Sequence, residues 1–344
     1  MENQIESGNS VQKTWRKIVN NYQNPDIRRS IWQLVNTLVP FVILWILMIL
    51  IIDYSYWLVL PLAFLAGGLV VRLFIFFHDC GHFSFFKSAK ANHRVGSILG
   101  ILVFTPYYQW RQSHAVHHAT AGNLDKRGVG DVWTLTVEEF LAAPWWKQLF
   151  YRVYRNPLIM FGVGPLLSFL ILNRLPSKKF GKRERNSIHW TNLALIVFIA
   201  LMSWAIGFRN FWLIQLPVIW VASTAGVWLF YVQHQFEGVY WERAQDWDFL
   251  KAGLEGSSFY KLPKVLQWFT GSIGFHHIHH LSPRIPNYLL EKCHLENPIF
   301  QVKPIKLLSS FKSLTFRLWD EKRRQLVNFK YLKLYRSESA FLGP

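Results

Sequence analysis

Residues 57–82 read WLVLPLAFLAGGLVVRLFIFFHDCGH. Trp57–Phe77 is apolar except for Arg72, and it matches the roughly 20 residues a helix needs to cross a bilayer. A histidine-bearing pentapeptide follows without a break. Working outward, Leu34–Ile52 (LVNTLVPFVILWILMILII), Trp190–Phe208 and Trp212–Val232 repeat the long apolar run. Helices buried in a soluble fold do not need four stretches of this length and hydropathy. The expected fold is therefore an all-α integral membrane protein. Its four transmembrane helices, about 34–52, 57–77, 190–208 and 212–232, form two hairpins beneath a cytoplasmic helical cap, as one domain over residues 1–344.

Charge sets the expected orientation. The chain carries a net +18, and Lys and Arg favour the cytoplasmic side of short loops. Lys13, Arg16, Lys17, Arg28 and Arg29 precede the first span, whereas "DYS" and "RN" join the spans of each pair. Both termini and all histidine clusters should thus be cytoplasmic. Pro157–Leu172 is apolar, but it is short and interrupted by Gly162, Gly164 and Pro165. If it crossed, Arg174, Lys178, Lys179, Lys182, Arg183 and Arg185 would lie outside. A re-entrant or interfacial segment is expected there, and likewise over Ser97–Phe104. The opening MENQIESGNSVQKTW lacks an apolar core and reads as neither a signal nor a transit peptide. The basic stretch Lys303–Arg336 reads as a solvated or lipid-facing amphipathic surface. Cys80 and Cys293 form no framework, and nothing in the basic residues suits nucleic acid.

Ten of the thirteen histidines lie at or beside span ends on one face. HDCGH supplies His78 and His82, HAVHH supplies His114, His117 and His118, and HHIHH supplies His276, His277, His279 and His280; His234 lies near the last span. Spacings of three and four place side chains on one helical face. His277 points about 100° away from His276, so its role as a ligand stays open. Three clusters at ligand spacing imply metal, and imidazole suits Zn, Cu, Fe and Ni. Their number exceeds what one ion uses, whereas two ions with four or five histidines each account for it. Neutral imidazoles cancel none of the charge, which calls for nearby carboxylates that also orient the rings. Asp79, Asp125, Asp131 and Glu237 are the candidates. Two redox-capable irons at a membrane face would suit oxygen activation.

HDCGH, HAVHH and HHIHH resemble the three histidine boxes of the membrane fatty acid desaturases. HHATAGNLDKRGVGDVWTLTVEEF, YRNPLIMFGVGP, FYVQHQFEGVYW and GFHHIHHLSPRIPNY extend the likeness toward bacterial and cyanobacterial acyl-lipid enzymes of the omega-6 type, over about Leu34–Tyr288. The resemblance implies a non-haem di-iron centre, molecular oxygen as oxidant, and removal of two hydrogens from an acyl chain of a membrane lipid. It also implies the ligand set His78, His82, His114, His117, His118, His276, His279 and His280, completed by His234. Some relatives carry an Asn one turn before that last histidine; Phe230 stands there in this chain. No HPGG motif of a fused cytochrome b5 occurs, so a separate donor is implied, with ferredoxin expected. The bacterial cytoplasmic membrane is the expected location.

The acyl chain requires an apolar tunnel near the metal, and Phe74, Phe77, Phe104, Trp110 and Trp228 are candidate linings. Isolated His93, His189 and His294 read as ordinary packing or surface residues. A histidine-box hydroxylase, ketolase or conjugase would share the metal site. A b-haem carrier would instead need single histidines facing each other inside the spans, and a metal transporter would need polar ligands there. Neither pattern occurs. The position of the new double bond is not encoded in any motif.

Overall fold

The computed structural model describes residues 14–341; the readings placed on Met1–Lys13 lie outside them. A short helix, α1, covers residues 14–20. Four long helices follow the apolar pattern: α2 (Ile27–Ile51), α3 (Tyr56–His82), and, after the cap segments, α9 (Lys182–Ile206) and α10 (Phe208–His234). All four are long and apolar enough to span a membrane. Between them lie α4 (Ala89–Leu102), α5 (Tyr107–Thr120), α6 (Val137–Ala142), α7 (Trp145–Tyr154) and α8 (Gly164–Leu170). After them come α11 (Phe249–Leu254), α12 (Lys264–Phe269), α13 (His276–Leu281) and α14 (Asn287–Glu296).

The spans divide into an inner and an outer pair. Over their apolar windows, α3 is 56% and α10 39% buried by protein, against 17% for α2 and α9. Val42, Ile46 and Leu50 of α2, and Ile196, Leu201 and Trp204 of α9, stay exposed where lipid would solvate them. At the centre, Gly67 of α3 lets the helices touch: a Cβ there would come within 2.7 Å of Val221 of α10. Arg72, the one charge in the run, is buried against α2 and α12. Its Nε donates to Thr37 Oγ1 at 3.1 Å, another nitrogen donates to the Trp268 carbonyl, and the guanidinium stacks 4.1 Å above the Trp268 ring. Such pairing makes a cation tolerable at that depth.

The helices outrun the apolar stretches that betray them. α3 continues through HDCGH to His82, and α10 runs to His234, so the first histidines belong to the spans' own last turns. The second hairpin also turns earlier than the connection "RN" suggested. Gly207, with φ of 84°, is the turn, and Arg209 and Asn210 already lie within α10. Glycine adopts that backbone readily and other residues do not.

Ile159–Arg174, which covers most of the segment Pro157–Leu172 expected to be re-entrant or interfacial, is a π turn, then α8, then a tighter turn. It bends 59° away from α7. Most of Ser97–Phe104 falls within α4. The basic C-terminal stretch is neither simply solvated nor lipid-facing: it folds onto the cap. Strands β1 (Phe259–Lys261) and β2 (Pro304–Lys306) pair in parallel, and β3 (Leu318–Asp320) and β4 (Gln325–Val327) pair antiparallel. Leu318, Trp319 and Leu326 are buried, and Trp319 N donates to Leu135 O at 3.0 Å. Its cations decorate a surface beneath which Leu318, Trp319, Leu326 and Val327 build core.

Candidate metal centre

The histidines come from four helix ends that meet beneath the cap. α5 is tied to α3 by Tyr107, whose hydroxyl donates to Cys80 O at 2.8 Å, and by Arg111 Nε donating to Gly81 O at 3.1 Å. α13 is held by β1 and the residue before it: His277 N donates to Ser258 O at 3.3 Å, and Tyr260 N donates to Gly274 O, just before α13, at 2.7 Å.

The rings gather in two sets. His78, His82, His114, His118 and His279 offer ring nitrogens within 4.8 Å of one another, and so do His117, His234, His276 and His280. Helix periodicity makes the division. His114 and His118 are one turn apart and share a set, while His117, turned about 100° from His118, joins the other. In α13 the same rule sends His276 and His280 one way and His279 the other. His118 and His280 stack at 4.2 Å across the boundary.

Each set has a hub nitrogen. His118 Nε2 lies 3.1 Å from His114 Nε2 and 3.0 Å from His279 Nε2. His234 Nε2 lies 3.1 Å from His117 Nε2 and 3.0 Å from His276 Nε2. A ring nitrogen has either one proton or one lone pair, in one direction, so it cannot hydrogen-bond well to two others. Two ligands at right angles on an ion with bonds of about 2.1 Å would sit roughly 3.0 Å apart. His82 Nε2 and His280 Nε2 are buried without any hydrogen-bond partner. Desolvation first, then neighbouring imidazoles, hold His114, His118, His276, His279 and His280 well below the usual imidazole pKa. They are neutral and keep the lone pair that a metal takes. The donor set fits two cations.

Two of the four candidate carboxylates touch this centre. Asp131 Oδ1 lies 2.6 Å from His117 Nδ1, so a proton held there leaves His117 Nε2 free to ligate. Asp79 Oδ1 lies 3.3 Å from His78 Nδ1, and its other oxygen accepts from Asn287 N and Nδ2, both at 2.9 Å. Asp125 and Glu237 do not reach the histidines. Asp125 accepts from Arg243 at 2.6 Å and from Ala244 N at 2.8 Å, pinning two loops together. Glu237 is exposed and faces Lys312 at 2.7 Å. Nearness in sequence to a histidine misleads here because both acids lie in turns that leave the helix axis.

Sequence reasoning missed Asn287 and the Gly256 carbonyl, 3.3 Å from His234 Nδ1. Asn287 sits in the PNY that follows the third box, a signal that could have been used; a backbone carbonyl leaves none. His277 stands outside both sets, its Nε2 3.1 Å from His294 Nδ1 and from Phe300 O. His93 packs among Phe83, Tyr107 and Tyr108, and His189 is exposed. Phe230 places its ring 5.1 Å from both His117 and His234, closing one side of the second set.

A cavity of about 420 Å³ opens onto His78, His114 and His276 and runs between α3 and α10. Phe74, Phe104 and Trp110 line it. Phe77 and Trp228 do not. Phe77, about 100° round α3 from His78 and about 60° from Phe74 on the far side, is buried against Tyr107 and Trp110. Trp228 faces Phe161 and Phe311, its Nε1 donating to Tyr260 Oη at 3.3 Å.

Apolar spans whose ends converge on nine imidazoles, beside an apolar cavity, define a histidine-box membrane protein. The chain belongs to the fatty acid desaturase family, whose sequence profile matches residues 55–301. It is 49% identical over 323 residues to a fatty acid desaturase of Bacillus subtilis, covering 94% of this chain and 92% of that one. More distant relatives are two proteins of Synechocystis sp. The sn-1 oleoyl-lipid 12-desaturase is 29% identical over 71% of this chain and 69% of its own. The sn-1 acyl-lipid omega-3 desaturase (ferredoxin) is 29% identical over 69% and 66%. This membrane protein is therefore an oxidoreductase acting on fatty acids.

Proposed function

We propose that the chain is an oxygen-dependent acyl-lipid desaturase built around two iron ions. Nine histidines would hold them: His78, His82, His114, His118 and His279 for one, and His117, His234, His276 and His280 for the other. The observation that carries this reading is the division of ring nitrogens into two hub-centred sets at the mouth of an apolar cavity. When bound, the pair of irons supplies the oxidising power that removes two hydrogens from neighbouring methylenes. The balance needs an outside donor: reduction of O₂ to two waters takes two electrons from the C–H bonds and two from that donor.

The chain's own groups set position. Phe74, Phe104 and Trp110 bring methylenes to the histidine end of the cavity, and small misplacement there is costly. Asp131 and Asp79 fix the rings of His117 and His78. Burial excludes water from the centre. A ferredoxin-type donor fits the ferredoxin-linked name of one relative and the basic surface of the cap. The positive-inside rule supports a bacterial cytoplasmic membrane protein with the cap and both ends in the cytoplasm and Pro157–Leu172 at the interface.

Expression in a host lacking desaturases, followed by mass spectrometry of its fatty acids with double-bond localisation, tests the reading. New unsaturated chains are expected from the wild-type protein and none from His117→Ala, which should still insert but lose iron. An unchanged profile with reductant and oxygen present would overturn it.

A further inference from the structure

Gln215 is the polar exception at the deep end of the cavity. It is 6% exposed, it lines the cavity, and its amide makes no hydrogen bond among the described residues. Val218, Ile219 and Ala222, the lining residues that follow it on α10, are apolar, and the hydroxyl of Ser223 beyond them is turned back onto the Trp220 carbonyl at 3.2 Å. Among the lining residues of α10 it is the farthest from the histidines, roughly 22 Å along the helix from Phe230 at 1.5 Å per residue. An amide in hydrocarbon must be paired or hydrated, so its position in this wall has a consequence for whatever fills the space.

We infer that Gln215 is a chain-length determinant, a polar floor that ends the part of the cavity an acyl chain can occupy. The inference rests on reading the cavity as the acyl site. A chain that stops short leaves room for a water to pair with the amide. Up to that point each further methylene buried improves binding about fourfold. A chain whose methyl end reaches Gln215 displaces the water and leaves the amide unpaired, a loss of roughly 5- to 150-fold. The dependence on length should therefore climb and then break, where an all-apolar end would only level off.

The test feeds acids of graded chain length to a desaturase-deficient host carrying the full-length protein and measures the unsaturated fraction of each length by mass spectrometry. For the wild type, the fraction should fall at least about fivefold within one or two added methylenes. Gln215→Met, which keeps the volume and removes the amide, should move that break to longer chains. Yields on short chains and iron content should stay within about twofold of wild type. Gln215→Asn, which retracts the amide, should shift it by about one methylene. A smooth decline in the wild type, or the same break in Gln215→Met, overturns the proposal while leaving the desaturase reading intact. If Gln215→Met fails to accumulate, the shape of the wild-type profile decides alone. No unsaturated product of any length from the wild type would overturn both.

Discussion

His117 and His118 are neighbours in the chain yet belong to different nitrogen sets, and that division governs the residue scale. His118→Ala and His117→Ala should each strip a different site. Bound iron should fall from two per chain to one or none, with activity lost, when measured by elemental analysis of purified protein. His277→Ala should keep both irons, because its ring pairs with His294 and the Phe300 carbonyl. Asp131→Asn should weaken metal retention against a chelator by about 10- to 100-fold, whereas Asp125→Asn should leave it unchanged. Cys293 is buried, and desolvation pushes its thiol up to about 12, so the reactive thiolate is absent at neutral pH. Labelling by iodoacetamide should appear only after unfolding, and modification of the folded protein would contradict this packing. The clustering of the histidines was legible because helical spacing is a local property. Which set each joins, and the failure of Asp125 and Glu237 to reach them, depend on where helix ends and turns meet in space.

Elements show the same limit from another side. Hydropathy located all four long helices but ended two of them early, since the last turns of α3 and α10 are polar precursors of the site and not part of an apolar run. Two glycines separate packing from backbone effects. Gly67→Leu would drive side-chain atoms into Val221 and the Val218 carbonyl, overpacking the contact between α3 and α10. It should cost more than the 1–3 kcal/mol typical of extra methylenes in a tight core. Gly207→Ala meets open space, so its cost is only that of a positive-φ backbone, φ 84° and ψ 141°, that residues other than glycine rarely adopt, about 1–3 kcal/mol. Thermal unfolding in detergent should rank the first variant well below the second. Equal losses would mean that the helices do not meet at Gly67.

For the whole molecule, sidedness is the question that joins fold to function, because a donor in the cytoplasm can reduce only a centre on that side. Two observations bear on it independently. The short turns of the hairpins, residues 52–55 and Gly207, lie together at one end, and their rim carries the exposed aromatic residues Tyr54, Trp57, Trp204 and Phe208. Aromatic rings of this kind favour the headgroup layer. The opposite end carries the histidines, the exposed Trp145, Trp146 and Trp190, and the run from Lys178 to Arg185. Along α9, Trp190 and Trp204 lie roughly 21 Å apart, which sets both within reach of the two interfaces of a bilayer with a core of about 30 Å. Basic residues cluster on the histidine side, so that side should face the cytoplasm. A phosphatase that is active only outside the cytoplasm, inserted after Tyr54, should therefore report activity; inserted after Ser177 it should be silent. The reverse pattern would put the centre out of reach of a cytoplasmic donor, and the ferredoxin assignment would fall even if the histidines bind iron.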